Sequence, residues 1–109
     1  MKRIYISLPI TGKEDTYEAR LNAAVEYVKS MYPEYLHIVT PKDVAEEFEK
    51  ERKGIKIPPT YNNFLLYDII CIAYCDAIFM CKGWEESKGC QAEYAFAEAI
   101  GLERYYQPK

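Results

Sequence analysis

Histidine is almost absent from this sequence of 109 residues, in which His37 is the only example. The four cysteines, at positions 71, 75, 81 and 90, have spacings that match no zinc-binding pattern, and a single imidazole does little to complete one. We therefore expect no metal and no metal cofactor. Because the cysteines lie in apolar segments, they are predicted to be buried free thiols, as is usual in a cytoplasmic protein.

Long apolar runs are also missing. The apolar segment near the N-terminus, IYISLPI, is too short to be the hydrophobic region of a signal peptide with its cleavage site. No segment approaches the roughly 20 apolar residues that a membrane-spanning helix needs. We therefore expect a cytoplasmic protein that has no membrane partner.

The chain has no excess of positive charge. Its formal net charge is −3 and its isoelectric point is about 5.2, which argues against a general attraction to nucleic-acid backbones. It also contains neither a Walker motif nor the glycine fingerprint of dinucleotide-binding proteins. A small anionic ligand is still compatible with this composition, because local donors and helix dipoles rather than net charge bind such ligands.

What the chain does contain is an alternation of strand and helix patterns in one domain, residues 1–109, of which 50% are hydrophobic. Strand patterns cover residues 2–8, 35–39, 77–81 and 104–107. Helix patterns run from a capping box at residues 15–18 to Pro33, and over residues 43–53, 61–74 and 87–100, the last closed by Gly101. This order predicts a single three-layer α/β/α domain with a parallel, flavodoxin-like or Rossmann-like sheet of four to five strands.

Two carboxylates stand in unusual settings. Asp68 interrupts an apolar run in a helix that is apolar on nearly all sides and is therefore predicted to be buried. Glu93 shares a helix face with the small residues Gly89, Cys90 and Ala97, which would direct it toward the sheet. Buried carboxylates are costly unless they are paired, so both residues are candidates for catalysis. The alternatives are a structural aspartate that holds a loop and an ordinary glutamate on a helix surface.

Ligands of parallel sheets bind at the carboxyl ends of the strands. The candidate substrate-binding residues there are Ser7 at the end of the first strand, Gly12 in the turn after it, Trp84 in the loop before the last helix, and Ser87 and Gly89 at the start of that helix. Ser87 fits a helix N-cap, although the same first-turn amides could instead receive a phosphate. Tyr5, on the first strand, could reach a carboxylate or could simply pack in the core.

Three blocks of sequence resemble the nucleoside 2-deoxyribosyltransferase superfamily, and most of all its small DUF4406-type domains: IYISLPITGKED, NNFLLYDIICIAYCDAIFMC and SKGCQAEYAFAEAIGL. The resemblance implies that Glu93 is the nucleophile on the anomeric carbon of a sugar, and that Asp68 and Tyr5 are its catalytic neighbours. Ser87 stands where the transferases place an aspartate. That replacement is similar to the deoxynucleoside 5′-monophosphate N-glycosidases, whose serine contacts the phosphate, although the turn after the first strand is shorter than theirs and lacks their arginine.

The resemblance implies cleavage or transfer at the N-glycosidic bond of a (deoxy)nucleoside or nucleoside 5′-monophosphate, without a cofactor. A carboxylate nucleophile and a second carboxyl group can perform such a reaction through a covalent glycosyl-enzyme. Glu93 would attack C1′, Asp68 would assist the departing base or hold the sugar, and Tyr5 would orient Glu93. The alternatives are a non-catalytic module of the same fold that binds or senses a nucleotide, and a structural domain without a small ligand.

The resemblance also implies a homo-oligomer, a dimer or larger, because relatives often complete the pocket with residues of a neighbouring subunit. The aromatic pair Tyr105 and Tyr106 near the C-terminus could serve this purpose or could pack internally.

Overall fold

The computed structural model of the protein describes residues 2–108, and a four-stranded parallel sheet with strand order β2-β1-β3-β4 lies at its centre. The strands are β1 (Arg3–Ser7), β2 (His37–Val39), β3 (Ala77–Met80) and β4 (Glu103–Tyr106). The helices are α1 (Tyr17–Met31), α2 (Pro41–Glu51), α3 (Tyr61–Ile72) and α4 (Lys88–Ala99), and short 3-10 helices cover Glu14–Thr16 and Trp84–Glu86. The α/β fold class and the parallel sheet predicted from the sequence are confirmed.

The side chains of the two central strands alternate between the two faces of the sheet. On one face, Ile4 and Ile6 of β1 belong to a buried cluster with residues of α1. On the other face, Tyr5 of β1 belongs to a second cluster that includes residues of α2, α3 and α4. Both strands are buried on both faces, as expected for central strands of a parallel sheet. The fold is therefore the predicted three-layer arrangement, with α1 alone on one side.

The strand order places a crevice at the carboxyl ends of β1 and β3, the position at which parallel sheets commonly bind ligands. The chain leaves β1 through α1 to reach β2 on one side, then returns through α2 and α3 to β3 on the other side of β1. The connections diverge at this point, which opens a crevice above the sheet edge. Ser7 and Met80, the last residues of the two strands, are paired in register at that edge.

The starts of α2 and α3 are fixed by capping boxes that sequence inspection did not identify. Thr40 accepts from the backbone N–H of Asp43 and the Asp43 side chain accepts from the N–H of Thr40, with Pro41 at the first helical position. Thr60 and Asn63 make the same pair of contacts for α3. The prediction of a capping box at residues 15–18 is wrong, because α1 begins after a 3-10 turn and its N-cap makes no side-chain hydrogen bond.

One prediction of burial is also wrong. The helix α3, expected to be buried all round, leaves Leu66 and Ile70 exposed by 60% and 47%. The reason is that α3 packs against α2 and α4, and no further layer covers its outer side in the described part of the chain.

The end of α4 is closed as the sequence predicts. Gly101 adopts a φ of +77°, its N–H donates to the carbonyl of Glu98, and the N–H of Leu102 donates to the carbonyl of Ala97. This pair of bonds is a Schellman motif, which favours glycine at the left-handed position. Between residues 2 and 108, none of the helices has the length and apolar character needed to cross a membrane.

Candidate active site

Glu93 lies on the sheet-facing side of α4, and only 5% of it is exposed. The helix begins after Ser87, whose hydroxyl accepts from the backbone N–H of Cys90 at 3.3 Å, as the N-cap assignment predicts. Cys90, Glu93 and Ala97 form the buried face of the helix. Because the neighbours of Glu93 on this face are small, the helix approaches the sheet closely enough for the carboxylate to reach β1.

Two hydroxyl groups of β1 hold the Glu93 carboxylate. The Tyr5 hydroxyl donates to Oε2 at 3.1 Å, and the Ser7 hydroxyl donates to Oε1 at 2.7 Å. Tyr5 and Ser7 are two positions apart, so both side chains leave the strand on the same face. Both residues are fully buried. Each carboxylate oxygen of Glu93 therefore has its own donor on β1.

Asp68, on α3, completes a pair of carboxyl groups with Glu93. Burial, the charge of Glu93 and a hydrogen bond with Glu93 raise the pKa of Asp68 from 3.8 to about 8. Burial also raises the pKa of Glu93, and hydrogen bonds from Ser7, Asp68 and Tyr5 offset only part of that rise. With a pKa of about 8, Asp68 holds a proton at neutral pH and donates it to Glu93. The two carboxyl groups therefore stand in different hydrogen-bonding settings, and such a difference can give them different chemical roles.

The pair opens onto a cavity of about 250 Å³. Its polar members include Thr11, Asp68, Ser87 and Glu93, and much of its remaining wall is apolar, with Leu8, Ile10, Phe64 and Leu65. A few convergent polar groups on an apolar wall are typical of small-molecule sites. The cavity is therefore suited to a small molecule that combines apolar and polar groups.

A second cavity, of about 360 Å³, adjoins the first and shares Thr11, Tyr61, Ser87 and Gly89 with it. Lys13 and Lys88 supply positive charge to this cavity and Glu86 supplies a carboxylate. Tyr61 stands at the junction: its hydroxyl would lie 2.6 Å from a Cβ atom built on Gly89. Glycine at position 89 therefore allows the tyrosine to rest against the first turn of α4.

The structure brings six of the eight predicted site residues to the first cavity or directly beneath it. Asp68, Ser87, Gly89 and Glu93 line the cavity and Tyr5 lies below it. Ser7 is also below, bonded to Glu93 rather than facing the open space. Gly12 and Trp84 do not line this cavity: Gly12 lies in a turn with a φ of +79°, and Trp84 stacks on Tyr94 at 4.6 Å.

Sequence inspection missed several residues of the site, among them Tyr61, Phe64 and Leu65 on α3. These three precede Asp68 by seven, four and three positions, and all four line the same cavity. Residues at these spacings share one face of a helix. The signal was therefore present, because any helix that carries Asp68 into a site must carry these side chains with it.

Metal-ligand geometry is not seen in the part of the chain that the structure describes. No group of three or more histidine, cysteine, aspartate or glutamate side chains is arranged there to hold an ion. All four cysteines are free thiols, and Cys75, Cys81 and Cys90 are buried.

Together, the fold and the site define a small α/β domain with a buried carboxyl pair at the carboxyl ends of its central strands. The chain belongs to the DUF4406 family, described as a domain of unknown function, whose family model matches residues 2–106. The predicted relationship to these domains is confirmed. No curated protein matches the chain.

A solved structure shares the fold. The chain is similar to the 2-desoxiribosyltransferase from Leishmania mexicana, with a TM-score of 0.63 and 24% sequence identity. The similarity covers 97% of this chain and 63% of that protein. The similarity agrees with the predicted superfamily at the level of the fold.

Proposed function

We propose that this protein cleaves or transfers the N-glycosidic bond of a (deoxy)nucleoside or nucleoside 5′-monophosphate, with Glu93 as the nucleophile. The observation that carries this proposal is the carboxyl pair, in which Glu93 accepts hydrogen bonds from Tyr5 and Ser7 and lies beside an Asp68 whose pKa is raised to about 8. An ionised carboxylate next to a protonated one is what a double-displacement reaction at a glycosidic bond needs.

In the first step, a Glu93 oxygen would form a bond to C1′ of the sugar while the bond from C1′ to the base nitrogen breaks. The electron pair of that bond leaves with the base, and Asp68 would donate its proton to the base. The products of the step are a glycosyl ester on Glu93 and an ionised Asp68. Protonation of the leaving group by a positioned carboxylic acid contributes about 10²–10⁴-fold to such a step.

In the second step, water or a second base would attack C1′ while Asp68 accepts the proton that the attacking group gives up. The ester bond to Glu93 breaks, and the electron pair returns to its carboxylate. Water gives hydrolysis and a base gives transfer. Both groups are then restored to their starting protonation states, so no further reactant is needed.

The two adjoining cavities support a nucleotide as the substrate class. The first has apolar walls suited to a base and sugar, and the second contains Lys13 and Lys88 near the N-terminus of α4, where a 5′-phosphate would be favoured. The fold shared with the Leishmania 2-desoxiribosyltransferase agrees with this choice. We propose that Ser87 contributes to the phosphate contact in addition to capping α4.

The test is to incubate the protein with a panel of deoxynucleosides and their 5′-monophosphates and to separate free base by chromatography. A parallel reaction with a second base as acceptor distinguishes transfer from hydrolysis. Base release that is absent from a Glu93→Gln control supports the proposal. A ligand-dependent rise in melting temperature without base release would instead favour the nucleotide-sensing module. The absence of both signals would reject both hypotheses.

A further inference from the structure

Ser7 was expected to contact substrate, but its place in the structure suggests another task. It is the last residue of β1, it is 0% exposed, and its hydroxyl lies 2.7 Å from Oε1 of Glu93. This distance is typical of a charged O–H···O⁻ hydrogen bond and is shorter than the 3.1 Å bond from Tyr5. The shorter of the two hydrogen bonds from β1 to Glu93 is thus made by a residue that does not line the cavity.

We propose that Ser7 is a positioning residue for Glu93: its buried hydroxyl fixes the orientation of the carboxylate and keeps Glu93, rather than Asp68, the charged member of the pair. The catalytic consequence of this role rests on the proposed function. Which of Asp68 and Glu93 carries the proton is, however, a property of the protein without substrate. Ser7 would act through Glu93 and would touch neither the sugar nor the base.

The geometry gives a reason for this role. Asp68 and Glu93 share a site in which only one can easily carry a charge, because like charges at close range oppose each other's ionisation. Of these two carboxyl groups, only Glu93 accepts hydrogen bonds from β1: the Tyr5 hydroxyl donates to Oε2 and the Ser7 hydroxyl donates to Oε1. Without the Ser7 hydroxyl, one oxygen of Glu93 would lose its donor in a buried setting, and the proton of the pair would move toward Glu93.

Other titratable groups also face Glu93 and must be considered in any pH measurement. They are Tyr5 of β1, Asp68 and Tyr61 of α3, and Cys90 on the same helix. Burial raises the pKa of Tyr5, Tyr61 and Cys90, so these groups are neutral near pH 7. Cys90 also hydrogen-bonds with Ser7, but a neutral thiol competes weakly with a carboxylate for the hydroxyl proton.

The experiment is a titration of Glu93 in protein labelled with ¹³C at glutamate carboxyl carbons, without substrate. The Glu93 resonance is assigned by its absence from Glu93→Gln. Ser7→Ala removes the donor, and Ser7→Cys keeps nearly the same volume with a weaker one. Ser30→Ala, an exposed serine on α1, is the matched control. We expect the Glu93 midpoint to rise by about one pH unit or more in Ser7→Ala and by less in Ser7→Cys, with no change in the control.

Activity provides a second measurement that a purely structural serine would not affect. In Ser7→Ala, kcat should fall about 10- to 100-fold at neutral pH with little change in KM, and the acidic limb of the pH profile should move upward. An unchanged Glu93 midpoint in folded Ser7→Ala would overturn the proposal. If that variant does not fold, an unchanged midpoint in Ser7→Cys overturns it. Failure of the parent protein to release base would count against the proposed function, while the titration would still decide the role of Ser7.

Discussion

Glu93 can be altered in charge without a change in shape. Glutamine keeps an acceptor oxygen for Tyr5 or Ser7, but it carries no negative charge and is a poor nucleophile. We expect Glu93→Gln to fold normally and to lose at least about 10³-fold in the rate of base release. Melting temperature and base release should be measured on the same preparation. Retained base release would exclude Glu93 as the nucleophile.

The contact between Gly89 and Tyr61 offers a second test at the level of single residues. An alanine Cβ at position 89 would meet the Tyr61 hydroxyl at 2.6 Å, so the ring must move. Tyr61 is 54% exposed and can rotate at low cost, and alanine favours a helix more than glycine does by about 1 kcal/mol. We expect Gly89→Ala to keep or raise the melting temperature while it lowers kcat/KM, because the displaced ring obstructs the junction of the cavities.

The matched control is the double variant Gly89→Ala with Tyr61→Phe. Without the hydroxyl, the nearest remaining atom of the ring, Cζ, lies at 3.8 Å from the added Cβ, which is an ordinary contact. The double variant should therefore recover most of the activity that Tyr61→Phe retains alone. If it stays as impaired as Gly89→Ala, the added methyl group acts directly on substrate and the steric account of Tyr61 is wrong.

Single residues also show the limit of sequence reasoning about the site. Asp68 and Glu93 could be singled out because a carboxylate within an apolar helical pattern is unusual by itself. The hydrogen bond between Ser7 and Glu93 could not be predicted, because the two residues are 86 positions apart and their contact depends on how α4 packs on the sheet. A serine in an apolar strand carries no local signal of its partner.

Among the elements, the N-terminus of α4 has two proposed tasks. Ser87 caps the helix, and we propose that it also contacts a 5′-phosphate. Ser87→Ala should therefore weaken binding of a monophosphate by about 1–2 kcal/mol, the value of a charged hydrogen bond. The corresponding free nucleoside should be scarcely affected. Isothermal titration with Glu93→Gln as the background would measure both affinities without turnover.

The loss of the cap itself must be separated from the loss of the ligand contact. Alanine at an N-cap costs roughly 1 kcal/mol of stability, whereas glycine costs only a few tenths. Ser87→Gly should thus reproduce the selective loss of monophosphate binding with a smaller drop in melting temperature. Thr40→Ala, which removes the cap of α2, controls for destabilisation alone. Equal losses for both substrate types would leave Ser87 as a cap only.

At the level of secondary-structure elements, the sequence was informative about the strands and less informative about the ends of the helices. The four strands were located to within two residues at each end, because β-branched and aromatic residues bounded by turns are a strong local signal. The capping boxes at Thr40 and Thr60 were missed, and one was wrongly expected at Asp15. Similar residue types stand at all three places, and only the backbone geometry of the chain entering the helix distinguishes them.

For the whole molecule, the topology explains why the site forms where it does. The strand β1 contributes Tyr5 and Ser7, α3 contributes Asp68, and α4 contributes Glu93, from positions across most of the chain. The helices α3 and α4 pack on the same face of the sheet as the Tyr5 side chain, so both reach the carboxyl end of β1. Alternating elements predicted this class of architecture, but the strand order and the outward exposure of α3 required the packed structure.

The protonation of Asp68 links the site to the stability of the whole molecule. Its pKa is raised from 3.8 to about 8 in the folded protein, chiefly by burial and by the charge of Glu93. An unfolded chain releases this proton near pH 4, so the folded state binds more protons than the unfolded state between about pH 4 and pH 8. The contribution of Asp68 to stability is therefore fully present below about pH 4 and is lost as the pH rises toward about 8.

Asp68→Asn should remove this dependence, because asparagine is neutral at every pH. We expect its melting temperature to exceed that of the parent by at least about 4 °C above pH 8, equivalent to about 1 kcal/mol in a domain of this size, and the difference to shrink toward pH 4. Asp15→Asn, at an exposed carboxylate, controls for the loss of one charge.

Asp68→Asn should also be severely impaired in base release, since asparagine cannot protonate the departing base. Normal activity together with a lower melting temperature would show that Asp68 is a structural carboxylate and not an acid in the reaction.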